Sequence, residues 1–364
     1  MKKFQKKKES LIRVFRGKKI IITGHTGFKG SWLSMMLSYL KCHVTGYSLS
    51  VDPDLNLFSS IFKDDNSFLD HNIGDILDID GLTKCINKSN PDIVFHLAAQ
   101  PLVFESYNNP VSTWEINVIG TLRLLSALSA IKHPCAVVVV TTDKVYCNNE
   151  SISGYRETDR LGGFDPYSSS KAAVELAVDS WRNSFCVGSE SPSANLSIAT
   201  VRSGNVIGGG DWSPNRIIPD AIKSLCDSTP IVLRNPSSIR PWLYVLDPLY
   251  GYLRLAEYLF TSDSSFCSPF NFAPSSNLTK TVRELIEELL KSWSGSYVVE
   301  PTSKLFHETT RLTLIGDKAS SLLGWNPTMD FEQTVSSTVS WYKDVLHGAS
   351  PYERSMSEIE RFFT

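Results

Sequence analysis

The chain has 364 residues, of which 42% are hydrophobic and 20% charged, a globular composition that excludes wholesale disorder. Its 36 Lys and Arg nearly balance its 38 Asp and Glu, and the resulting charge of −2 argues against nucleic acid as the main partner. No apolar stretch approaches the ~18 residues of a membrane helix and no secretory signal is visible, so we expect no membrane partner.

The start of the chain carries an unusual charge. Its first ten residues contain five lysines, and we interpret residues 1–17 as a basic, solvated tail, with a membrane- or nucleic-acid-binding arm as the alternative. The seven cysteines are widely spaced and include no Cys-x-x-Cys pair, which predicts a reducing, cytoplasmic setting without disulfides or a metal site.

Short apolar runs alternate with helical patterns in the first half of the chain. A β-branched run at Lys19–Thr23 is followed by glycines and by a helical pattern at Ser31–Leu40. Further strands are predicted at Cys42–Tyr47, Asp92–Leu97, Ala136–Thr141 and Leu196–Arg202, and further helices at Asp80–Lys88, Val111–Ile131 and Ser168–Phe185. This alternation predicts an α/β fold with a mostly parallel sheet covered on both faces.

The sequence changes character beyond about Val201. Gly- and Pro-rich loops appear at Gly208–Pro219 and Asn235–Trp242. Helical patterns follow at Pro219–Asp227, Pro248–Phe260, Val282–Trp293 and Phe331–Leu346. We expect a first domain over 18–202 and a smaller, partly interleaved second domain over 203–364. Segments near 243–273 are candidates to return to the first domain.

A glycine triple lies between the first strand and the first helix. Residues Thr23–Gly30 read TGHTGFKG, which places Gly24, Gly27 and Gly30 at G-x-x-G-x-x-G spacing. Glycines there let the backbone approach a pyrophosphate, and the helix N-terminus adds amide donors. In this strand–turn–helix context the pattern predicts a dinucleotide site, although a structural turn is the alternative.

The choice between NAD and NADP depends on the second strand. Such a loop usually has an acidic companion there that binds the adenosine ribose. Gly46–Ser50 contains no acid, and the first one is Asp52. The choice is therefore open at this point, and we favour NAD over NADP. His25 and Lys29 either pair with phosphate or face water.

A Tyr-x-x-x-Lys pair follows Asp165-Pro166. Tyr167 and Lys171 are four residues apart and share a face of the predicted helix. A free tyrosine has a pKa of ~10, but an ammonium ~4 Å away contributes about 4 kcal/mol at an effective dielectric near 20. This corresponds to roughly three pKa units, enough for the phenolate to take a proton from a sugar hydroxyl. A surface tyrosine with a solvated lysine is the alternative.

These motifs together carry a family resemblance. The chain resembles the extended short-chain dehydrogenase/reductases, and within them the nucleotide-sugar 4,6-dehydratases, over about residues 18–345. The general motifs are Thr23–Gly30, His96–Gln100, Asn117–Thr121 and Tyr167–Lys171, and the more specific stretches are Thr141–Tyr146, Gly154–Gly163, Ser203–Trp212 and Arg240–Trp242. The resemblance implies a Rossmann-like doubly wound parallel sheet with a smaller, partly interleaved C-terminal α/β substrate domain.

The resemblance also implies a reaction. Thr142 would orient the C4 oxygen of the sugar, Asp143 would be the acid at C6 and Lys144 the base at C5, beside Tyr167 and Lys171. Lysine rather than glutamate at position 144 is typical of members that act on CDP-glucose. A lysine must lose its proton, and an aspartate keep one, to act in these roles. A surface ion pair after a strand is the alternative for Asp143 and Lys144.

Further contacts are implied in the same way. The expected cofactor-binding residues are Gly24, Thr26, Gly27, Phe28, Gly30, Asp75, Ile76, Leu97, Ala98, Ala99, Gln100, Tyr167 and Lys171. The expected substrate-binding residues are Asn205, Arg216, Arg234 and Arg240, since the arginine fork suits a pyrophosphate. Trp212 and Trp242 either shape the pocket or pack in the core. Pairing of Val111–Ile131 and Ser168–Phe185 would give a homodimer.

The chain departs from the resemblance at two places. Phe104 stands where the family commonly has arginine, so a charge toward a phosphate or sugar hydroxyl is missing. The lysine-rich start has no counterpart. Other hypotheses are a 4,6-dehydratase or 4-epimerase for another nucleotide sugar, and a non-catalytic dinucleotide-binding sensor.

Overall fold

The β-branched runs of the sequence form strands. The computed structural model describes residues 2–51, 56–64, 66–261, 264–274, 279–300 and 310–364. The strands are β1 (Lys19–Thr23), β2 (His43–Ser48), β3 (Asp70–Ile73), β4 (Ile93–His96), β5 (Cys135–Val140), β6 (Leu196–Ser203), β7 (Val206–Ile207), β8 (Ile231–Leu233), β9 (Ile239–Pro241), β10 (Leu243–Tyr244), β11 (Phe270–Phe272), β12 (Thr279–Thr281) and β13 (Tyr297–Val299).

Seven of these strands make the central sheet. Its order is β11–β6–β5–β4–β1–β2–β3, and every adjacent pair is parallel. The β3–β2–β1–β4–β5–β6 part is the strand order of a doubly wound Rossmann sheet. The predicted fold class is therefore confirmed.

Helices cover both faces of this sheet. They are α1 (Lys2–Phe15), α2 (Phe28–Tyr39), α3 (Leu57–Asp64), α4 (Ile79–Ser89), α5 (Val103–Asn108), α6 (Pro110–Trp114), α7 (Gly120–Leu128), α8 (Pro166–Phe185), α9 (Ile217–Cys226), α10 (Leu246–Thr261), α11 (Val282–Ser292), α12 (Phe331–Leu346) and α13 (Pro351–Phe363). Successive residues of β1 serve opposite faces, because Ile20 packs in a core with Trp32 and Tyr252, whereas Ile21 packs with Leu124 and Val178.

Two predicted segments differ from what the structure has. The tail predicted as solvated forms α1, because its apolar Leu11 and Phe15 are fully buried against the body of the protein and Ser10 donates to Glu257 at 2.9 Å. The long helix predicted at Val111–Ile131 is α6 and α7 joined by a π-helical turn at Glu115–Ile119, and it ends at Leu128. Both differences come from tertiary contacts that local periodicity does not report.

The second half of the chain adds short strand pairs. β10 pairs with β7 and β13 with β8 in parallel, whereas β12 pairs with β9 in antiparallel orientation. Within 243–273, β11 joins the edge of the central sheet beside β6, and α10 packs against β5 and β6. None of the described helices combines the length and the apolar character needed to cross a membrane.

Candidate active site

A cleft of about 1350 Å³ opens where β1, β4, β5 and β6 end. Ligands of open α/β sheets bind at this carboxyl edge. All of the site residues predicted from the sequence line it: Gly24, Thr26, Gly27, Phe28, Gly30, Asp75, Ile76, Leu97, Ala98, Ala99, Gln100, Thr142, Asp143, Lys144, Tyr167, Lys171, Asn205, Arg216, Arg234 and Arg240. Residues far apart in the chain are thus brought to one place.

The glycine loop is shaped by close backbone contacts. Gly24 has φ +76°, and a Cβ there would lie 2.6 Å from the backbone N of Ala98. A Cβ on Gly30 would lie 2.2 Å from the Gly24 carbonyl oxygen, so neither position accepts a side chain. Gly27 differs, because its Cβ would meet only the Gly24 oxygen, at 3.4 Å. Its missing side chain leaves room in the cleft at the N-terminus of α2, which fits a dinucleotide pyrophosphate.

His25 and Lys29 are both in contact with other side chains, His25 buried and Lys29 half-buried. Lys29 lines the cleft, and its Nζ donates to Ser203 Oγ at 3.1 Å. Burial, reinforced by the charge of Arg216, lowers the pKa of Lys29 to about 8. His25 is buried, and its Nε2 lies 2.7 Å from Nδ1 of His71. Burial and His71 lower the pKa of His25 to about 3, so its imidazole is neutral.

The end of β2 presents hydroxyl groups to the cleft. Ser48 Oγ and Thr26 Oγ1 are 2.7 Å apart, and Leu49 and Ser50 also line the cleft. Asp52, the first acid after this strand, lies outside the described residues. A short polar surface, rather than a carboxylate, therefore borders this part of the cleft within the described residues.

Residues after β3 and β4 form the wall next to the glycine loop. Asp75 is exposed and its Oδ1 accepts from Leu77 N at 2.8 Å, while Ile76 is buried. The backbone N of Gln100 donates to Asn117 Oδ1 at 2.9 Å, and Asn117 Nδ2 donates to Ser170 Oγ at 2.9 Å. Asn117 lies in the π-helical turn, so this irregular turn fastens the cleft wall to α8.

Thr142, Asp143 and Lys144 follow β5 directly. Thr142 Oγ1 donates to Asp143 Oδ1 at 3.0 Å, and its hydroxyl also caps the following 3-10 turn at Lys144 N. Asp143 is 4% exposed, and its Oδ2 has no hydrogen-bond partner within the described part of the chain. Burial raises the pKa of the Asp143 carboxyl, and the charge of Lys144 and the Thr142 hydrogen bond only partly oppose this. Asp143 is thus a carboxyl group that favours its protonated form.

Tyr167 and Lys171 lie in the first two turns of α8. Asp165 caps this helix through Ser168 N at 2.9 Å, and Pro166 occupies its first position. Burial raises the pKa of Tyr167 to about 12, although a hydrogen bond with Thr142 opposes this. Lys171 Nζ donates to Val140 O at 3.1 Å, and burial with the charge of Lys29 lowers its pKa to about 8.

This arrangement differs from the expectation that Lys171 lowers the pKa of Tyr167. The ammonium of Lys171 is turned toward the carbonyl oxygen of Val140 at the end of β5, and both side chains are buried. Burial disfavours the charged phenolate and raises the pKa of the tyrosine. The spacing of two residues along a helix does not report burial. A tyrosine that is protonated in the free protein is the result.

The predicted substrate residues lie on the opposite wall. Arg216 Nη1 pairs with Asp211 Oδ2 at 2.9 Å, and Arg234 Nη2 donates to Asn215 Oδ1 at 3.3 Å. Arg240 is buried and its Nη1 donates to Ile239 O at 2.9 Å, while Asn205 lines the cleft at the end of β6. Trp242 lines the cleft, whereas Trp212 packs edge-on against Tyr342 at 5.1 Å. Phe104 also lines the cleft and is 38% exposed.

Sequence reasoning missed two polar residues that hold this site. Asn117 fell inside a predicted helix, and the motif Asn117–Thr121 gave its family resemblance but not its contacts. Glu175 lies four residues after Lys171 on α8 and is buried against Arg202 of β6. A signal for Glu175 was present in the sequence, because Arg202 is the one charged residue of the predicted strand Leu196–Arg202.

Comparison with known proteins gives sequence relatives along nearly the whole chain. The model of a family described as GDP-mannose 4,6 dehydratase matches residues 21–338. A CDP-glucose 4,6-dehydratase of Salmonella typhimurium is 39% identical over 352 residues, which cover 96% of this chain and 97% of that protein. A dTDP-glucose 4,6-dehydratase of Shigella flexneri is 26% identical over 352 residues, covering 89% and 92%.

Solved structures share the fold at lower identity. DesIV, a dTDP-glucose 4,6-dehydratase from Streptomyces venezuelae solved with NAD, has a TM-score of 0.76 and 24% identity, covering 92% of this chain and 99% of its own. A UDP-glucose 4-epimerase from Thermotoga maritima, solved with UDP-glucose, has a TM-score of 0.76 and 22% identity, covering 90% and 99%. One fold therefore serves both dehydratases and epimerases, and residues of the cleft must separate the two activities.

Proposed function

The chain belongs to the GDP-mannose 4,6-dehydratase family, and we propose that it is an NAD-dependent CDP-glucose 4,6-dehydratase, a hydro-lyase. The reaction converts CDP-D-glucose to CDP-4-dehydro-6-deoxy-D-glucose and water. The 39% identity to the Salmonella typhimurium enzyme along nearly the full length of both chains supports this substrate. The observation that carries a dehydratase, rather than an epimerase, is the buried carboxyl of Asp143.

An epimerase moves a hydride and one proton at C4, whereas a dehydratase also needs an acid for the departing C6 hydroxyl. Asp143 suits this task because burial raises its pKa, which favours the protonated form. Its Oδ2 has no partner among the described residues and so has hydrogen-bonding capacity for a substrate oxygen. Thr142 fixes the other oxygen.

The cleft fits NAD at the glycine loop. Gly24, Gly27 and Gly30 with the N-terminus of α2 would hold the pyrophosphate, and the residues after β3 and β4 would border the adenosine, as the open side of Gly27 supports. NAD supplies, when bound, a nicotinamide that accepts a hydride from C4 of the sugar and returns it to C6. The hydroxyl-lined end of β2 offers no charged partner within the described residues for a 2′-phosphate, and this favours NAD over NADP.

The chain's own residues supply the proton transfers. Tyr167 takes the proton of the C4 hydroxyl, and its hydrogen bond with Thr142 favours the phenolate. The C4 ketone acidifies the C5 hydrogen, which Lys144 removes while Asp143 protonates the C6 hydroxyl that leaves as water. Lys144 returns a proton to C5. Tyr167 has then gained one proton and Asp143 has lost one, and exchange with water restores both.

The opposite wall suits the nucleotide diphosphate. Arg216, Arg234 and Arg240 line this wall, and guanidinium groups bind pyrophosphate in a bidentate manner. We assign cofactor binding to residues 18–202 and nucleotide-sugar binding to 203–364. Within 243–273, β11 extends the central sheet and α10 packs against it. All seven cysteines are unpaired, which supports a reducing, cytoplasmic compartment.

We also propose a homodimer. Val111, Trp114 and Ile119, next to α8, and Leu176 on α8 are exposed to between 41% and 70%. Apolar side chains on two packed helices favour a helix-pairing interface with a second copy. Light scattering should give about 81 kDa, twice the 40.6 kDa of one chain. A mass near one chain would contradict it.

The experiment is NMR of the purified protein with CDP-glucose and NAD. We expect a 6-methyl, 4-keto product, and we expect Lys144→Ala and Asp143→Asn to bind NAD but to form this product far more slowly. Product from dTDP-glucose or UDP-glucose instead would retain the mechanism and replace the substrate. Turnover with inversion at C4 and no water loss would overturn the dehydratase. Failure of every nucleotide sugar with both NAD and NADP would favour a non-catalytic sensor.

A further inference from the structure

A buried carboxylate lies behind the proposed catalytic residues. Glu175 is on α8, one turn after Lys171, and is 3% exposed. Four donors reach its two oxygens: Thr141 Oγ1 at 2.5 Å, Thr200 Oγ1 at 2.6 Å, and Nε and Nη2 of Arg202, both at 2.9 Å. A carboxylate has about four lone-pair sites, so this one is saturated by the protein itself. Glu175 therefore has no capacity left for a ligand.

The donors come from elements that carry the proposed chemistry. Thr141 precedes Thr142 and Asp143 in the chain, and Glu175 shares α8 with Tyr167 and Lys171. The Thr141–Glu175 hydrogen bond thus joins the strand end to the helix. Arg202 extends the connection, because its Nη1 donates to the hydroxyl of Tyr146 at 2.7 Å.

The network continues into the second half of the chain. The Tyr146 hydroxyl donates to Asn271 Oδ1 at 2.7 Å, and Asn271 Nδ2 donates to Tyr155 O at 2.9 Å. Every link is buried or nearly so. Because buried hydrogen bonds in low dielectric hold their geometry strictly, a change at Glu175 is transmitted to the strand end.

Glu175 also acts on Lys171 through its charge. Burial and the neighbouring ammonium of Lys29 on α2 lower the pKa of Lys171, and Glu175 opposes them. Three further groups act on Lys171 or on its neighbours. His96 of β4 is neutral, because burial and the charge of Lys171 lower its pKa to about 3. Asp143 after β5 acts on Lys29, and Arg202 of β6 pairs with Glu175. Glu175 is thus the acid on α8 that favours the ammonium form of Lys171.

We infer that Glu175 is a positioning residue of the proposed dehydration: it fastens the helix of Tyr167 and Lys171 to the strand end of Thr142 and Asp143, and it places a negative charge one helical turn from Lys171. This inference rests on the proposed function for the identity of the step that it supports. It does not require contact between Glu175 and the substrate.

The first test compares Glu175→Gln, which removes the charge, with Glu175→Asp and Thr200→Val, which keep it. The midpoint of Lys171 is followed by NMR of protein labelled with [13Cε]lysine, with Lys171→Arg to assign the signal. We expect Glu175→Gln to lower this midpoint by on the order of one pH unit. Glu175→Asp and Thr200→Val should leave it in place. An unchanged midpoint in Glu175→Gln would overturn the electrostatic part.

The second test does not depend on whether Glu175→Gln folds. Thr141→Val and Thr200→Val each remove one hydroxyl donor from the same carboxylate, but Thr141 alone belongs to the strand end. We expect Thr141→Val to lower kcat with CDP-glucose by about tenfold, as small misplacements of reacting groups do, and Thr200→Val to leave kcat unchanged. Equal losses in the two variants would overturn the positioning role.

The two proposals fail in different ways. If the wild-type protein does not dehydrate CDP-glucose while the Lys171 midpoint still moves in Glu175→Gln, the proposed substrate is wrong and the electrostatic link stands. If the wild type turns over and all variants share its kcat, its pH profile and its midpoint, the inference about Glu175 is wrong and the proposed function stands.

Discussion

Two buried carboxylates lie on opposite sides of one strand end, and their pKa values are shifted in opposite directions. Thr141 donates to Glu175 on the α8 side, whereas Thr142 donates to Asp143 on the cleft side, since successive residues of a strand point to opposite faces. Asp143 is 4% and Glu175 3% exposed. Burial alone would raise the pKa of both, but Arg202 and two threonine hydroxyls hold the pKa of Glu175 below its ordinary value, while burial prevails at Asp143.

Hydrogen-bonding partners, and not the extent of burial, decide the role of a buried acid in this protein. Four donors stabilise the charged form of Glu175 and leave it inert, which suits a structural and positioning task. Within the described chain Asp143 accepts a hydrogen bond from Thr142 and has an unpartnered Oδ2, so its pKa is raised by burial and Oδ2 has capacity for a ligand. Each of the following substitutions changes one of the two carboxylates or one of its hydrogen-bond donors.

The largest effect is expected from Asp143→Asn. Removing a general acid typically costs 10²–10⁴-fold in rate, and we expect kcat for dehydration to fall by about that factor. The midpoint temperature of thermal unfolding should be unchanged or slightly higher, because a neutral amide is less costly to bury than a carboxylate. The control is Asp179→Asn, which removes an exposed acid of α8 paired with Arg182 at 2.7 Å. Near wild-type turnover in Asp143→Asn would end the general-acid assignment.

The next effect concerns stability. Glu175→Gln leaves Arg202 as an unpaired buried cation, and breaking a buried ion pair from one side costs about 3–5 kcal/mol. We expect urea denaturation to show a loss of that size in the free energy of unfolding. Asp143→Asn should show no such loss. If both variants unfolded at the same urea concentration, the two carboxylates would not differ as their hydrogen bonds indicate.

The pH dependence of stability should have opposite signs at the two sites. The folded pKa of Asp143 is raised, so its carboxyl destabilises the fold as pH rises from about 3.9, the unfolded value, through the folded value. The folded pKa of Glu175 is lowered, so its stabilisation is complete above about 4.3 and is lost as pH falls through the folded value.

Unfolding of the variants against pH measures this contrast. The advantage of Asp143→Asn over wild type should grow with pH in the first window, with a slope of at most about 1.4 kcal/mol per pH unit. The deficit of Glu175→Gln should shrink below about pH 4.3. Parallel curves for the two variants would contradict both directions.

The residues on the cleft side, around Asp143, could be predicted from the sequence, whereas the buried network around Glu175 could not. Local motifs predict Gly24, Tyr167 and Lys171, because backbone approach to phosphate and helical spacing impose residue types at short range. The family resemblance implied Thr142, Asp143 and Lys144. Their placement in one cleft follows from the parallel order of the strands. The central sheet was predicted for the same reason, since strands buried on both faces are apolar throughout.

The missed features depend on contacts between distant segments. Glu175 meets Thr200 and Arg202 only when α8 packs on β6, and the protonation of Tyr167 depends on burial that the Tyr-x-x-x-Lys spacing does not encode. The docking of α1 likewise depends on Glu257, far along the chain. Thr200 and Arg202 are two residues apart in a predicted strand and therefore share one of its faces. Two polar residues on one face of a buried strand were a usable signal for the buried network.

The smallest expected effect is the most discriminating for the saturated carboxylate. Thr200→Val removes one of four donors to Glu175, and three remain, including both nitrogens of Arg202. We expect a loss of about 1 kcal/mol in the free energy of unfolding, the usual net contribution of one hydrogen bond, with kcat unchanged. The matching change on the cleft side, Thr142→Val, removes the hydroxyl that donates to Asp143 within the described part of the chain, and it should lower kcat without a larger loss of stability. If Thr200→Val instead reduced activity as much as Thr142→Val, the two faces of the strand end would not be separable, and the division between a positioning carboxylate and a catalytic one would fail.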